Sequence, residues 1–129
     1  MCIRVSPGDR RNAFTKGGRT PEEQNLFEHV QKLLRMRAEL EPLRRGSLLT
    51  LHVSAQQYAY ARVTTRDAVI IVINNDSKPS TIGFDVTRAG ISKDATLNVH
   101  LGTASRGNVK DGMLRVTLPA RSATILSER

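Results

Sequence analysis

The chain has 129 residues, 39% of them hydrophobic, and a mean hydropathy of −0.34, which suits one soluble domain with its own core rather than a disordered chain. No apolar run approaches the ~20 residues a membrane helix needs, and a single cysteine, Cys2, excludes an internal disulfide framework. The net charge of +8 raises nucleic acid as a partner, yet Met1–Gly46 and Ser47–Arg129 each hold ten Lys/Arg against six Asp/Glu, without the single stripe or cluster that a phosphate backbone selects.

Met1–Arg19 is rich in Gly, Arg and Pro and reads as an irregular leader. Its start, MCIRVSPGDRR, has no apolar stretch of the signal-peptide kind, so a cytoplasmic location is expected. Cys2 has no histidine beside it in sequence and reads as a bystander thiol.

Thr20 then fits a helix N-cap, with Pro21 at the first helical position and Glu23 completing a capping box. Glu22 and Glu23 oppose the positive end of the helix dipole. Leu26, Phe27, Val30, Leu33 and Leu34 follow at helical spacing and form one apolar face. Pro42 disfavours helical geometry at Glu41, so the helix is expected over about 21–40. Arginines crowd its end, and Gly46 closes the connection.

After Gly46 the period changes to two. LLTLHV, YAYARV, the β-branched run VIIVI (Val69–Ile73), TIGFDV, TLNVHL, LRVTL and SATIL read as strands, and VIIVI as one buried on both faces. NNDSKPS and GTASRGNVKDG read as loops. The expected fold is mainly β: an antiparallel two-layer β-sandwich of about seven to eight strands, preceded by one amphipathic α-helix. The expected division is 1–46, leader and helix, then 47–129, the β-domain.

Catalytic signatures do not emerge. His29, His52 and His100 have no partner at metal-ligand spacing, and no metal or cofactor is expected. There is no G-x-S-x-G elbow, no P-loop and no G-x-G-x-x-G. Asp67, Asp76 and Asp111 sit where turn chemistry explains them, and nothing singles out a pair of carboxylates for glycoside chemistry. Tyr58 and Tyr60 are two apart on one strand, so their rings share a face. They could stack on a sugar or cover the sheet; packing is the simpler reading.

Taken together, four stretches carry a resemblance. LFEHVQKLLRMRAELEPLRRG resembles the last barrel helix of the α-amylase family, glycoside hydrolase family 13. YAYARVTTRDAVIIVINND resembles the opening of that family's C-terminal β-domain, and DGMLRVTLPARSATIL its final hairpin. PGDRRNAFTKGGRTPEEQ resembles the loop before the last helix, most closely in cyclomaltodextrinase- or neopullulanase-type members. The resemblance implies that the helix face Leu26, Phe27, Val30, Leu33, Leu34 was shaped to lie on barrel strands. No residue here matches the family's catalytic motifs, so none is assigned a catalytic role. The expectation is a non-catalytic accessory domain, present as a truncated frame, a remnant or one piece of a split enzyme. Its expected partner is a catalytic (β/α)₈ barrel polypeptide or a second copy through the helix face. Two alternatives stay open: a free-standing α-glucan-binding module using Tyr58 and Tyr60, and a basic nucleic-acid-binding domain.

Overall fold

The computed structural model describes residues 18–102 and 106–128; the leader expectation and Cys2 fall largely or wholly outside them. Two units divide the chain, the first ending at Arg37 and the second running Ala38–Arg129.

Helix α1 spans Pro21–Glu39. The Thr20 hydroxyl accepts the Glu23 backbone N–H at 3.2 Å, as an N-cap does, and the Thr20 carbonyl accepts Gln24 N–H at 2.9 Å. The helix stops one residue before the expected end. A second, five-residue helix that the sequence reading missed, α2 (Glu41–Arg45), starts at once, with Pro42 in its first turn where no N–H is needed. A run that short shows no period to read. Gly46 is demanded by space: a Cβ there would lie 2.5 Å from the Pro42 carbonyl oxygen and 2.8 Å from Val63 N. The Gly46 carbonyl is held by Arg62 Nε at 2.9 Å.

The second unit continues as β1 (Ser47–Val53), β2 (Gln57–Val63), β3 (Ala68–Asn74), β4 (Ser80–Asp85), β5 (Thr96–Leu101), β6 (Arg106–Lys110), β7 (Met113–Leu118) and β8 (Ser122–Ser127). All pairings are antiparallel. The eight strands form one hydrogen-bonded sheet in the order β1-β2-β3-β8-β5-β6-β7-β4. It folds over so that β3 and β8 approach β7, and the terminal strands β1 and β4 come near each other. The mainly-β antiparallel expectation is thus borne out, in a nearly closed form.

The core follows the alternation of the strands. Ala59 and Ala61 of β2, Ile70 and Val72 of β3, Ile82 and Phe84 of β4, Leu97 of β5, Val109 of β6, Leu114, Val116 and Leu118 of β7 and Leu126 of β8 form one buried cluster. β3 lies between β2 and β8 and buries Val69, Ile70, Ile71 and Val72 in succession, as its unbroken β-branched run implies. Val69, Ile71 and Ile125 are buried outside that cluster, as are Leu40 and Pro42, and α2 lies against β2 and β3.

One strand contradicts the sequence reading. β6 lies inside GTASRGNVKDG, which reads as a loop because Arg-Gly-Asn-Val-Lys carries one apolar side chain. Its place depends on Gly107, where a Cβ would meet Leu126 Cδ2 at 2.7 Å and Leu114 Cδ1 at 3.3 Å. The neighbours that need this glycine are distant in sequence. Asp111 (φ 51°) and Gly112 (φ 81°) then make the tight turn from β6 to β7. Among the described residues no helix is long and apolar enough to cross a membrane.

Candidate functional site

The outward face of β1, β2 and β3 carries the aromatic residues the sequence singled out. Because Ala59 and Ala61 point into the core, Tyr58, Tyr60 and Arg62 point out. Registration sets Tyr58 beside Val53 and Ile73, and Tyr60 beside Thr50 and Ile71. Both tyrosines are half-buried. Their ring centroids are 5.2 Å apart with planes tilted by 32°, so each ring presents part of its surface to the other. The Tyr58 hydroxyl lies 3.2 Å from the Thr50 hydroxyl. Around the pair, Leu48 (61% exposed), Val53 (67%) and Ile73 (37%) leave apolar surface in solvent.

The opposite layer presents a different outward face. Thr81 and Thr117 share a 2.8 Å hydrogen bond, and Arg115, Asn108 and Lys110 are exposed. This outer face is mostly polar, with Met113 exposed on it; the other has β-branched and aromatic residues.

On α1 the expected stripe divides. Leu26, Val30 and Leu34 are exposed, whereas Phe27 and Leu33 are half-buried. The Arg19 guanidinium stacks 3.7 Å from the Phe27 ring centroid.

Among the described residues the histidines and carboxylates are not brought together as a catalytic set. His29 is exposed on α1. His52 follows a bulge in β1, and its Nε2 is buried with no hydrogen-bond partner among the described residues. His100 Nε2 lies 2.7 Å from Ser127 Oγ, but Ser127 is only 1% exposed. A serine so enclosed cannot meet a polymeric substrate, so the pair reads as a structural hydrogen bond. Asp85 accepts Thr87 Oγ at 2.6 Å and Thr87 N at 2.8 Å. These hydrogen bonds hold its carboxyl below the usual value, opposite to what a general acid needs. Among the described residues no three His, Cys, Asp or Glu cluster as metal ligands.

Concavities are equally sparing. A recess of about 80 Å³ lies among Thr64, Arg66, Asp67, Gly90 and Glu128, far below the ~300 Å³ of even a small ligand site. An open depression of about 550 Å³ is bordered by Ser92, Lys93, Asp94, Thr96 and Glu128, with no aromatic ring for a sugar face.

Sequence reasoning missed Asn74. It is 1% exposed at the end of β3. Its Nδ2 donates to the carbonyls of Lys78 and Pro119, both at 3.0 Å, and its Oδ1 accepts Gln57 Nε2 and Asp76 N, both at 3.1 Å. One side chain thereby ties β2, the β3–β4 loop and the β7–β8 turn. The first asparagine of an Asn-Asn pair after an apolar run was visible in sequence; its partner 45 residues away was not.

Comparison with known proteins is consistent with this picture. No family model matches. The chain is 32% identical over 109 residues to neopullulanase 2 of Thermoactinomyces vulgaris, covering 81% of this chain and 18% of that protein. It is 30% identical over 103 residues to a cyclomaltodextrinase of Geobacillus thermopakistaniensis, covering 77% of this chain and 17% of that protein. Among solved structures, the debranching enzyme of Nostoc punctiforme superposes with a TM-score of 0.69 at 30% identity, over 87% of this chain and 24% of that one. The α-amylase of Geobacillus thermoleovorans, complexed with acarbose, matches with a TM-score of 0.73 at 19% identity, a likeness of fold alone. The chain thus spans about a fifth of the length of the curated relatives it matches.

Proposed function

We propose, from the premise that this chain resembles one small part of enzymes of the α-amylase family, glycoside hydrolase family 13, that it is a non-catalytic accessory β-domain for such an enzyme, with residues 47–129 the domain proper and 1–46 the leader and helix. The observation that carries this is the coverage. Relatives at about 30% identity devote only 17–24% of their length to the matching region. That region carries a sheet with its own core here, and the described residues hold no metal-ligand cluster. A body of this kind stabilises and shields a larger one. The apolar outer residues Leu48, Val53 and Ile73 suit a seat against a catalytic barrel acting on α-glucans.

The test is direct. The purified chain is incubated with starch, cyclodextrin and pullulan, and reducing ends are counted. No release above a buffer blank is expected. Release that survives repurification and is lost on replacing one carboxylate of this chain refutes the proposal.

A further inference from the structure

The strand order leaves one place where the folded-over sheet has no ladder. β1 and β4 end that order and come near each other, yet among the described residues no backbone pairing joins them. Every other neighbouring pair is hydrogen-bonded strand to strand. β1 is also irregular here. Its partners step from Thr50 opposite Tyr60 to His52 opposite Ala59, so Leu51 is an extra residue. A bulge of this kind bends the strand and interrupts pairing.

A side chain stands where the ladder is missing. Arg88 Nη2 donates to the Thr50 carbonyl, beside the bulge, at 3.3 Å. Arg88 is exposed in the 3₁₀ turn Thr87–Ala89, which follows β4. That turn has a fixed base. Val86 and Ala89 on either side of it are buried in the core. Asp85, at the end of β4, accepts the Thr87 N–H at 2.8 Å and the Thr87 hydroxyl at 2.6 Å. A guanidinium carried on a fixed base has less backbone freedom to lose when it bonds than one on a loose segment. The residues behind the seam are apolar: Leu49 and Leu51 of β1 pack against the core, and Ile82 and Phe84 of β4 belong to it.

We propose that the seam between β1 and β4 is where this sheet opens, and that Arg88 is the latch that holds it shut. The device is local. One hydrogen bond closes what ladders close elsewhere in the sheet, so the seam opens far more often than the whole unit unfolds. What it guards is the edge strand β1, whose run LLTLHV has no Lys, Arg, Asp, Glu or Pro to discourage pairing with other chains.

Hydrogen exchange of the full chain, read by mass spectrometry on peptides covering each strand, tests this. In the parent chain β1 and β4 should exchange faster than β3 and β8, and with a weaker dependence on added urea, as local opening requires. Arg88→Met keeps the aliphatic stem and removes the donor. It should speed exchange in β1 and β4 by about 2- to 10-fold, the range one hydrogen bond spans, and leave β3 and β8 at the parent rate. Arg88→Lys, which keeps a donor, should fall between the two. Lys93→Met, a change of the same charge at another exposed position, should leave all four strands as they are. Three results overturn the proposal: parent exchange in β1 and β4 as slow as in β3 and β8; no change with Arg88→Met; or an equal rise in all four strands, which means that Arg88 supports the whole unit and not the seam. None of these readouts involves a glucan, so the accessory-domain proposal can fail while this one stands, and the reverse.

Discussion

Phe84→Ala probes whether the folded-over sheet is held by the core described above. Phe84 is 3% exposed on β4, paired with Leu114 of β7, and belongs to the cluster that joins the layers. Removing the ring forfeits about 2 kcal/mol of transfer free energy. The space left adds about 2 kcal/mol more where the surroundings do not close in, giving about 3–5 kcal/mol in all. β4 is bonded only to β7 and ends the strand order, so it can shift inward somewhat, which favours the lower part of that range. For a unit of this size total stability is of order 5–14 kcal/mol. The variant should therefore unfold at a much lower urea midpoint, with a similar slope, followed by far-ultraviolet circular dichroism. A loss below about 1 kcal/mol would mean that Phe84 does not join the two layers, and the packing argument would fail.

Other consequences follow from the same contacts. Gly107→Ala forces a methyl group into Leu126 and Leu114 and should destabilise by about 1–3 kcal/mol in the same assay; an unchanged midpoint would remove β6 from its assigned place. Asn74→Leu leaves the Lys78 and Pro119 carbonyls without their donor and should cost about 2–4 kcal/mol, whereas Ser77→Ala, at an exposed loop position, should be near neutral. The Asp85 carboxyl has its folded value lowered from 3.8 by Thr87, so its contribution is present above about 3.8 and is lost as pH falls through the lower folded value. Asp85→Asn should remove that contribution at neutral pH and flatten the stability profile in the acid range, where the variant and the parent converge, measured by thermal melts across pH. Titration calorimetry with maltoheptaose should give no saturable heat; saturable binding abolished by Tyr58→Ala and Tyr60→Ala together would favour the free-standing glucan-binding module.

Most of the fold was legible because the period of the apolar residues changes so plainly at Gly46. The 3.6-residue spacing from Leu26 to Leu34 became α1, and the alternation in TIGFDV and LRVTL became β4 and β7, paired with Ile82 beside Val116 and Phe84 beside Leu114. What could not be read depends on residues far apart. β6 contains one apolar side chain, and its strand geometry is fixed by Leu97, Leu114 and Leu126 closing on Gly107. Asn74 looks like an ordinary turn residue until Pro119 comes beside it. The shared face of Tyr58 and Tyr60 follows from their spacing, but the 5.2 Å separation and 32° tilt of their rings do not. The splitting of the helix stripe into exposed Leu26, Val30 and Leu34 and half-buried Phe27 and Leu33 was likewise outside the reach of periodicity, which places residues on a face without saying which part is covered.

The accessory-domain proposal is tested most directly by exchange. The matching 109-residue region of the Thermoactinomyces vulgaris neopullulanase is replaced by the corresponding part of this chain, beside a variant in which the region is deleted. Soluble yield, thermal midpoint and pullulan hydrolysis are then compared with the parent enzyme. The account predicts that the exchanged enzyme regains most of the yield and activity that the deletion loses, since the substituted part supplies a sheet and core of the same fold without catalytic groups. An exchanged enzyme no better than the deletion, or a deletion indistinguishable from the parent, would contradict it.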